Sequence, residues 1–283
     1  MIREIKFKGS PLGLVGRAVK EGGQAPTFRL TTNELKEISL SDFEGKIKII
    51  TSFPSLDTSV CDLQVKEFNK RALSFSDEVV VVGISKDLPF AQKRFCDAND
   101  INNIKILSDY KYSSFGINYG VLIKELNLLA RAILIVDKNN VLRYIQVVEE
   151  LTNAPDYDGA LNKLSEVISN PSFSLKEESP SHCVPCEGGT PPLPKEEIDK
   201  LIAQYRGWEV VEDKKIRKAF KFKDFLEAKY FLDLVSVIAQ EQGHHPSVTL
   251  SWGKVSCTLT THAAGGLTEN DFIMARLIDE LNA

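Results

Sequence analysis

Along the front half of the chain, short apolar runs alternate with stretches of helical spacing. The runs at 49–53, 79–85 and 131–137 are rich in Val and Ile, residues that suit a pleated, buried surface. A helical stretch follows Thr58 and another covers 89–96, while residues 2–17 alternate in the manner of a hairpin. Asp137-Lys138-Asn139-Asn140 is a turn signal feeding a further strand over 141–147, and Tyr157, Ala160, Leu161, Leu164 and Ile168 recur at helical spacing over 156–168. Strands spaced by helices predict βαβ units around a central sheet, here with an antiparallel pair closing one side.

The back of the chain has another rhythm: a helix over 195–205, strands over 208–211 and 216–222, a long helix, two more strands, and a last helix over 269–281. In the long helix Phe225, Ala228, Leu232, Val235 and Ile238 are expected to form the buried stripe, with Gly243 as the residue that stops it. This order predicts an α+β sandwich with a four-stranded antiparallel sheet and helices on one face. Residues 171–192 concentrate Pro, Ser and Gly and read as a linker. The expected organisation is therefore an α/β domain over 1–170, a linker over 171–192 and a second, unrelated domain over 193–283.

Length agrees with two domains, since 283 residues exceed one ordinary core. A composition of 43% hydrophobic and 26% charged residues excludes fibrous and disordered classes. The 35 basic and 39 acidic residues leave a net charge of −4 with no basic run, which argues against nucleic-acid binding. The start alternates charged and apolar residues where a signal peptide needs an apolar stretch, and no run is long enough to cross a bilayer, so the expectation is a cytoplasmic protein with no membrane partner. Five scattered cysteines are too few for a disulfide scaffold. All four histidines lie at 182 or beyond, so the front half works without imidazole.

In the front half, Pro54-Ser55-Leu56-Asp57-Thr58-Ser59-Val60-Cys61 joins a buried strand to a helix, with Thr58 near the N-cap and Cys61 in the first turn. Unpaired amides at the positive end of a helix favour thiolate over thiol. By itself Cys61 could equally be a small buried hydrophobe. The pattern Pro-x-x-x-Thr-x-x-Cys, together with Phe90-Ala91-Gln92-Lys93-Arg94-Phe95-Cys96, Ala130-Arg131-Ala132 and Pro155-Asp156-Tyr157, resembles the thiol peroxidase branch of the peroxiredoxins over about residues 1–170. The resemblance implies a thioredoxin-like fold and an atypical two-cysteine cycle. Cys61 would attack peroxide and become a sulfenic acid, Cys96 of the same chain would close a Cys61–Cys96 disulfide, and thioredoxin or a similar dithiol would reduce it. Thr58 would support the thiolate and the attacked oxygen, Arg131 would stabilise developing charge, and Pro54 would shield the nucleophile. No metal or cofactor is implied.

In the back half, His244-His245-Pro246 follows the long helix and His262 ends the run 255–262, whose parity places His262 with Ser256, Thr258 and Thr260 on the polar face. Three histidines could hold a metal, move protons without one, or have no role. Glu241-Gln242-Gly243-His244-His245-Pro246, Thr260-Thr261-His262 and the segment from Gly265 and Gly266 to Asn270 and Asp271 resemble pterin-4a-carbinolamine dehydratase over about residues 183–283. That family removes water from 4a-hydroxytetrahydropterin without metal or cofactor. By position, His244, His245 and His262 would surround the pterin and exchange its protons, while Asp271 and the Gly265-Gly266 turn would shape the pocket. Gln240 stands where many members carry a glutamate. The Cys183-Val184-Pro185-Cys186 leader reads as half of a zinc site with His182, as a redox dithiol, or as a structural turn, and Cys257 as packing.

The resulting expectation is a bifunctional enzyme acting on peroxide and pterin, assembled as a homodimer or higher oligomer. The competing readings are a redox sensor in front and a catalytically weak binding or dimerisation module behind.

Overall fold

The buried runs of the front half lie side by side in one sheet. The computed structural model describes residues 4–170, 182–184 and 191–281, and the chain divides into units Met1–Glu177 and Glu178–Ala283. In the first unit the expected hairpin is β1 (Glu4–Phe7) and β2 (Ser10–Val15). After it come β3 (Arg29–Thr31), β4 (Glu37–Ser39), β5 (Ile47–Ser52), α1 (Ser59–Ala72), β6 (Val79–Ser85), α2 (Pro89–Ala98) and β7 (Lys105–Ser108). The unit continues through α3 (Ser114–Asn118), β8 (Leu122–Ile123), β9 (Leu128–Leu129), β10 (Ala132–Val136), β11 (Leu142–Val147) and α4 (Tyr157–Ser169).

Seven strands form the central sheet in the order β11-β10-β5-β6-β7-β3-β4, parallel from β5 through β7 and antiparallel at both flanks. Every residue of β5 and β10 is buried, as a strand covered on both faces requires. On one face, α1 and α4 press Val65, Phe68 and Leu164 against Ile49, Ile133 and Ile135, and Cys61 belongs to that core. The expected antiparallel pair is β10–β11 at the sheet edge. The β3–β4 hairpin, β7, α3 and the pair β8–β9, which extends β2 in a second small sheet, add to the expected elements. These pieces run from two to five residues, too short to show a period.

The second unit contains α5 (Lys195–Ile202), β12 (Glu209–Val211), β13 (Lys215–Lys221), α6 (Phe225–Gln242), β14 (Ser247–Ser251), β15 (Lys254–Leu259) and α7 (Glu269–Leu281). The sheet is antiparallel in the order β12-β13-β15-β14, and α6 and α7 pack on it and on each other. Val255, Cys257 and Leu259 point into the core and alternate with Lys254, Ser256 and Thr258.

Two expectations need correction. The buried stripe of α6 is Ala228, Phe231, Leu234, Val235, Ile238 and Ala239, whereas Phe225 is exposed and Leu232 only half-buried. Phe225 opens the helix at N1, where the chain is still arriving, and Phe231 fills the position expected of Leu232 against Phe220 and Phe222. His262 does not lie on the strand: β15 ends at Leu259 and His262 begins a 3-10 turn to Ala264. Its exposure comes from that turn. Gly243, at φ 62°, ends α6 in the left-handed region with its N–H on Ala239 O. Among the described residues no helix is long and apolar enough to cross a membrane.

Candidate active sites

In the first unit, β5 delivers the chain at its C-terminal end to buried Pro54 and then to α1. The intervening loop is pinned from outside, because Asp87 accepts from Ser55 Oγ (2.7 Å) and from Leu56 N (2.8 Å). Thr58 takes the extended N-cap conformation of α1 but does not cap it. Its hydroxyl lies 2.7 Å from Cys61 Sγ and 3.2 Å from Ser55 O, so its single proton is available to the sulfur.

Cys61 is the third residue of α1 and has no exposed surface. Across from it stands Arg131, the residue before β10 and 2% exposed. The guanidinium donates through Nη2 to Cys61 Sγ (3.4 Å) and to Leu151 O (3.0 Å), and through Nη1 to Gln64 Oε1. Gln64 is held in turn by Thr51 Oγ1 (2.5 Å) and Ser52 O (3.4 Å). Among the described residues no carboxylate pairs with Arg131, so its protein partners other than the sulfur are neutral. A buried cation without a counter-charge is costly, and a Cys61 thiolate is the group placed to supply one.

Cys96 lies in the last turn of α2, half-buried against the same apolar core. Burial, and then the charge of Asp97, push its thiol up to about 11. Cys61 and Cys96 are both free cysteines.

In the second unit, a cavity of about 440 Å³ is lined by His244, His245, His262, Gln242, Thr260 and Asn270. The left-handed turn at Gly243 brings the first two histidines to it directly after α6. His244 is largely buried, with Nε2 2.8 Å from Asp271 Oδ1. Asp271 is wholly buried and its Oδ2 also accepts from Thr261 Oγ1 (2.9 Å) and Thr268 N (2.8 Å). A carboxylate so held favours a proton on Nε2, which then donates to it. His245 is more exposed, its Nε2 3.4 Å from Gln240 Oε1, and His262 is exposed.

Asp271 thus sits behind His244 rather than in the cavity wall. Gly265, at φ 68°, closes the 3-10 turn, and buried Gly266 accepts from Thr261 N; neither glycine lines the cavity. Of the cysteine leader, Cys183 and Val184 contribute to the wall: Cys183 N donates to Gln242 Oε1 (2.9 Å), and Val184 exchanges two bonds with the Asn270 side chain (2.7 and 3.0 Å). His182 Nδ1 faces Gln242 Nε2 at 3.2 Å. Cys186 lies outside the described residues. Among those described, no three His, Cys, Asp or Glu side chains are grouped to hold a metal ion. Cys257 is buried in the core, which pushes its thiol up to about 12.

Comparison with known proteins divides the chain in the same place. Residues 20–161 match the Redoxin family model, and residues 191–281 match that of the pterin 4 alpha carbinolamine dehydratases. The thiol peroxidase of Bacillus subtilis (strain 168) is 51% identical over 165 residues, 58% of this chain and 98% of that protein. The chain belongs to the redoxin family, as a thiol peroxidase fused to a pterin dehydratase domain. The thiol peroxidase of Staphylococcus saprophyticus is 48% identical over 158 residues, 56% of this chain and 95% of that protein. The crystal structure of a peroxiredoxin-like protein from Aquifex aeolicus superposes with a TM-score of 0.56 at 39% identity, covering 59% of this chain and 98% of that one, so the thiol peroxidase unit has the thioredoxin-like fold.

Within the thiol peroxidase unit, three contributors were absent from the sequence reading: Gln64, Asp87 and the Leu151 carbonyl. Gln64 lies one helical turn after Cys61 and could have been found from that spacing. Asp87 and Leu151 come from distant loops and carry no local signal. In the dehydratase domain the additions are Gln242, Asn270 and the Cys183-Val184 backbone.

Proposed function

We propose that the chain is a bifunctional enzyme: a thiol-dependent peroxidase acting on hydrogen peroxide or organic hydroperoxides, and a metal-free 4a-hydroxytetrahydropterin dehydratase. The buried Arg131 guanidinium, whose other protein partners are neutral, supports the first activity most directly. The Cys61 thiolate attacks one peroxide oxygen, the O–O bond breaks, and the electron pair leaves with the alkoxide or hydroxide, which takes a proton to become an alcohol or water. Arg131 and the Thr58 hydroxyl stabilise charge on the attacked and departing oxygens, while Pro54 keeps water from the sulfur. Cys96 then attacks the Cys61 sulfenic acid. An S–S bond forms, the S–O bond breaks, and hydroxide leaves with the Cys96 proton as water. Two electrons and two protons from a dithiol such as thioredoxin restore both thiols. A Cys96→Ser chain given one equivalent of peroxide should hold a trappable sulfenic acid at Cys61; its absence would refute the pairing.

In the dehydratase cavity, the departing 4a-hydroxyl is protonated and leaves as water while the N5 proton is accepted, giving quinonoid dihydropterin. His244, fixed by Asp271 with Nδ1 as acceptor, is the base in this reading, and exposed His245 and His262 supply the acid. Gln240, close to His245, leaves that imidazole without a carboxylate partner there. Dehydration should survive a strong chelator; loss with recovery on adding zinc would refute the metal-free account. The two families carry with them a thiol reductant, small-molecule substrates and oligomerisation, and we place this chain in the cytoplasm as a homo-oligomer.

A further inference from the structure

Asp87 stands where the loop before Cys61 meets the helix that carries Cys96. It lies two residues past the end of β6, and its carboxylate collects Ser55 Oγ (2.7 Å), Leu56 N (2.8 Å) and Ser85 Oγ (2.7 Å). Its own carbonyl accepts from Ser108 Oγ on β7. Ser85 is tied onward to α2, because the wholly buried Gln92 donates through Nε2 both to Ser85 Oγ (3.0 Å) and to Leu107 O (3.0 Å). An unbroken series of hydrogen bonds therefore runs from the loop that positions Thr58, through Asp87 and Ser85, into the first turn of α2.

The two thiols stand at different heights along their helices. Helices α1 and α2 both begin at the C-terminal end of the parallel strands and lie over the same core. Cys61 is two residues past the start of α1 at Ser59, and Cys96 is seven past the start of α2 at Pro89. At about 1.5 Å of rise per residue the offset is about 8 Å along the axes, before the lateral spacing of neighbouring helices, about 8 to 10 Å, is added. A disulfide needs its Cα atoms within roughly 4.4 to 6.8 Å. The loop and first turn of α1, or α2, must leave its seat.

We propose that Asp87 is a clamp between the nucleophile loop and α2, which holds Thr58 on the sulfur for the peroxide step and must release for disulfide formation. Asp87 is thus a positioning residue for both half-reactions and sets one against the other. The clamp rests on the reading of Cys61 and Cys96 as the reacting pair. On opening, its two hydrogen bonds from the loop, Ser55 Oγ and Leu56 N, are exchanged for bonds to water, so weakening them favours the open form. In the open form Cys96 also leaves the apolar surroundings that keep its thiol protonated, and the attacking thiolate becomes accessible at lower pH.

The test uses the full chain, its Asp87→Asn form and its Ser55→Ala form, each mixed rapidly with hydrogen peroxide, quenched with a thiol alkylating reagent and resolved by mass spectrometry into thiol, sulfenic acid, disulfide and sulfinic acid at Cys61. Asp87→Asn should slow Cys61 oxidation about tenfold and speed disulfide formation by about three- to tenfold, with less sulfinic acid at high peroxide. Ser55→Ala, which removes the bond to Asp87 and a longer one from Asp57 N (3.3 Å) and leaves β6 untouched, should shift both rates in the same directions by about threefold, and carries the test alone if Asp87→Asn does not fold. Both rates falling together, or neither moving, would overturn the clamp. A Cys61→Ser chain that still consumes peroxide, or an unaltered chain that forms no Cys61–Cys96 disulfide, would instead overturn the underlying assignment.

Discussion

Cys61 and Arg131 are sealed from solvent at the start of α1, whereas His245 and His262 stand at the open rim of a cavity in the other unit and only His244 is anchored in its core. The contrast follows from the chemistry each site is suited to. A sulfur nucleophile gains from a dry, preorganised cation and donor set, because hydrogen bonds to a charge strengthen as water is removed. Imidazole acid–base work needs rings that can reach a substrate and exchange its protons, and rings at an open rim can do so. One site therefore spends residues on burial and the other on holding a single ring.

The largest consequence falls on the buried cation. Arg131→Met should slow Cys61 oxidation by about 10² to 10³ and leave dehydration unchanged, measured as the second-order rate with peroxide. Arg131→Lys should recover little, since one ammonium cannot serve Cys61, Gln64 and Leu151 together; full recovery would mean that charge alone matters and that the sealed network is incidental. Next, His245→Ala or His262→Ala should each lower the dehydration rate by on the order of 10² without effect on the peroxide step. If neither matters, the open rim has no catalytic part.

A smaller effect should follow from Asp271→Asn, which keeps the shape but cannot fix the His244 tautomer in the same way. Dehydration should drop about tenfold and the unit should lose about 1 to 3 kcal/mol of stability through the Thr261 and Thr268 bonds, read by thermal unfolding. The smallest effect sharpens the view of the thiol site. Disulfide formation should rise with pH, because in the proposed cycle the thiolate of Cys96 is the attacking form. If the helix opens first, the midpoint lies near the 8.5 of an exposed cysteine, a gain of about fivefold between pH 7.5 and 8.5. Attack from the closed helix would instead show a midpoint close to 11, where burial holds that thiol.

How much of this was legible in the sequence differs between the two sites. Pro54, Thr58 and Cys61 lie within eight residues, so strand, loop and helix start are fixed locally and the motif reads directly. Arg131 was reached only through family resemblance, and Asp87 and Leu151 not at all, because loops meeting at the C-terminal edge of a sheet leave no periodic trace. In the dehydratase domain, the Gly243 stop and the two histidines behind it were readable from the end of α6. The exposure of His262 was anticipated through strand parity, although the structure reaches it through a 3-10 turn. The stripe of α6 was misplaced by one position at Leu232 because several apolar residues crowd the helix and only packing against Phe220 and Phe222 selects Phe231. Nothing in the composition of 182–184 announces its bonds to Gln242 and Asn270.

The most direct test of two separate chemistries on one chain is to assay the intact protein and its Cys61→Ser form side by side, for peroxide consumption supported by thioredoxin and for dehydration of 4a-hydroxytetrahydropterin. The account predicts that the intact chain performs both, and that Cys61→Ser loses peroxide consumption to background while dehydrating at the unaltered rate. Peroxide turnover that survives in Cys61→Ser, or an intact chain that does not dehydrate the pterin, would contradict it.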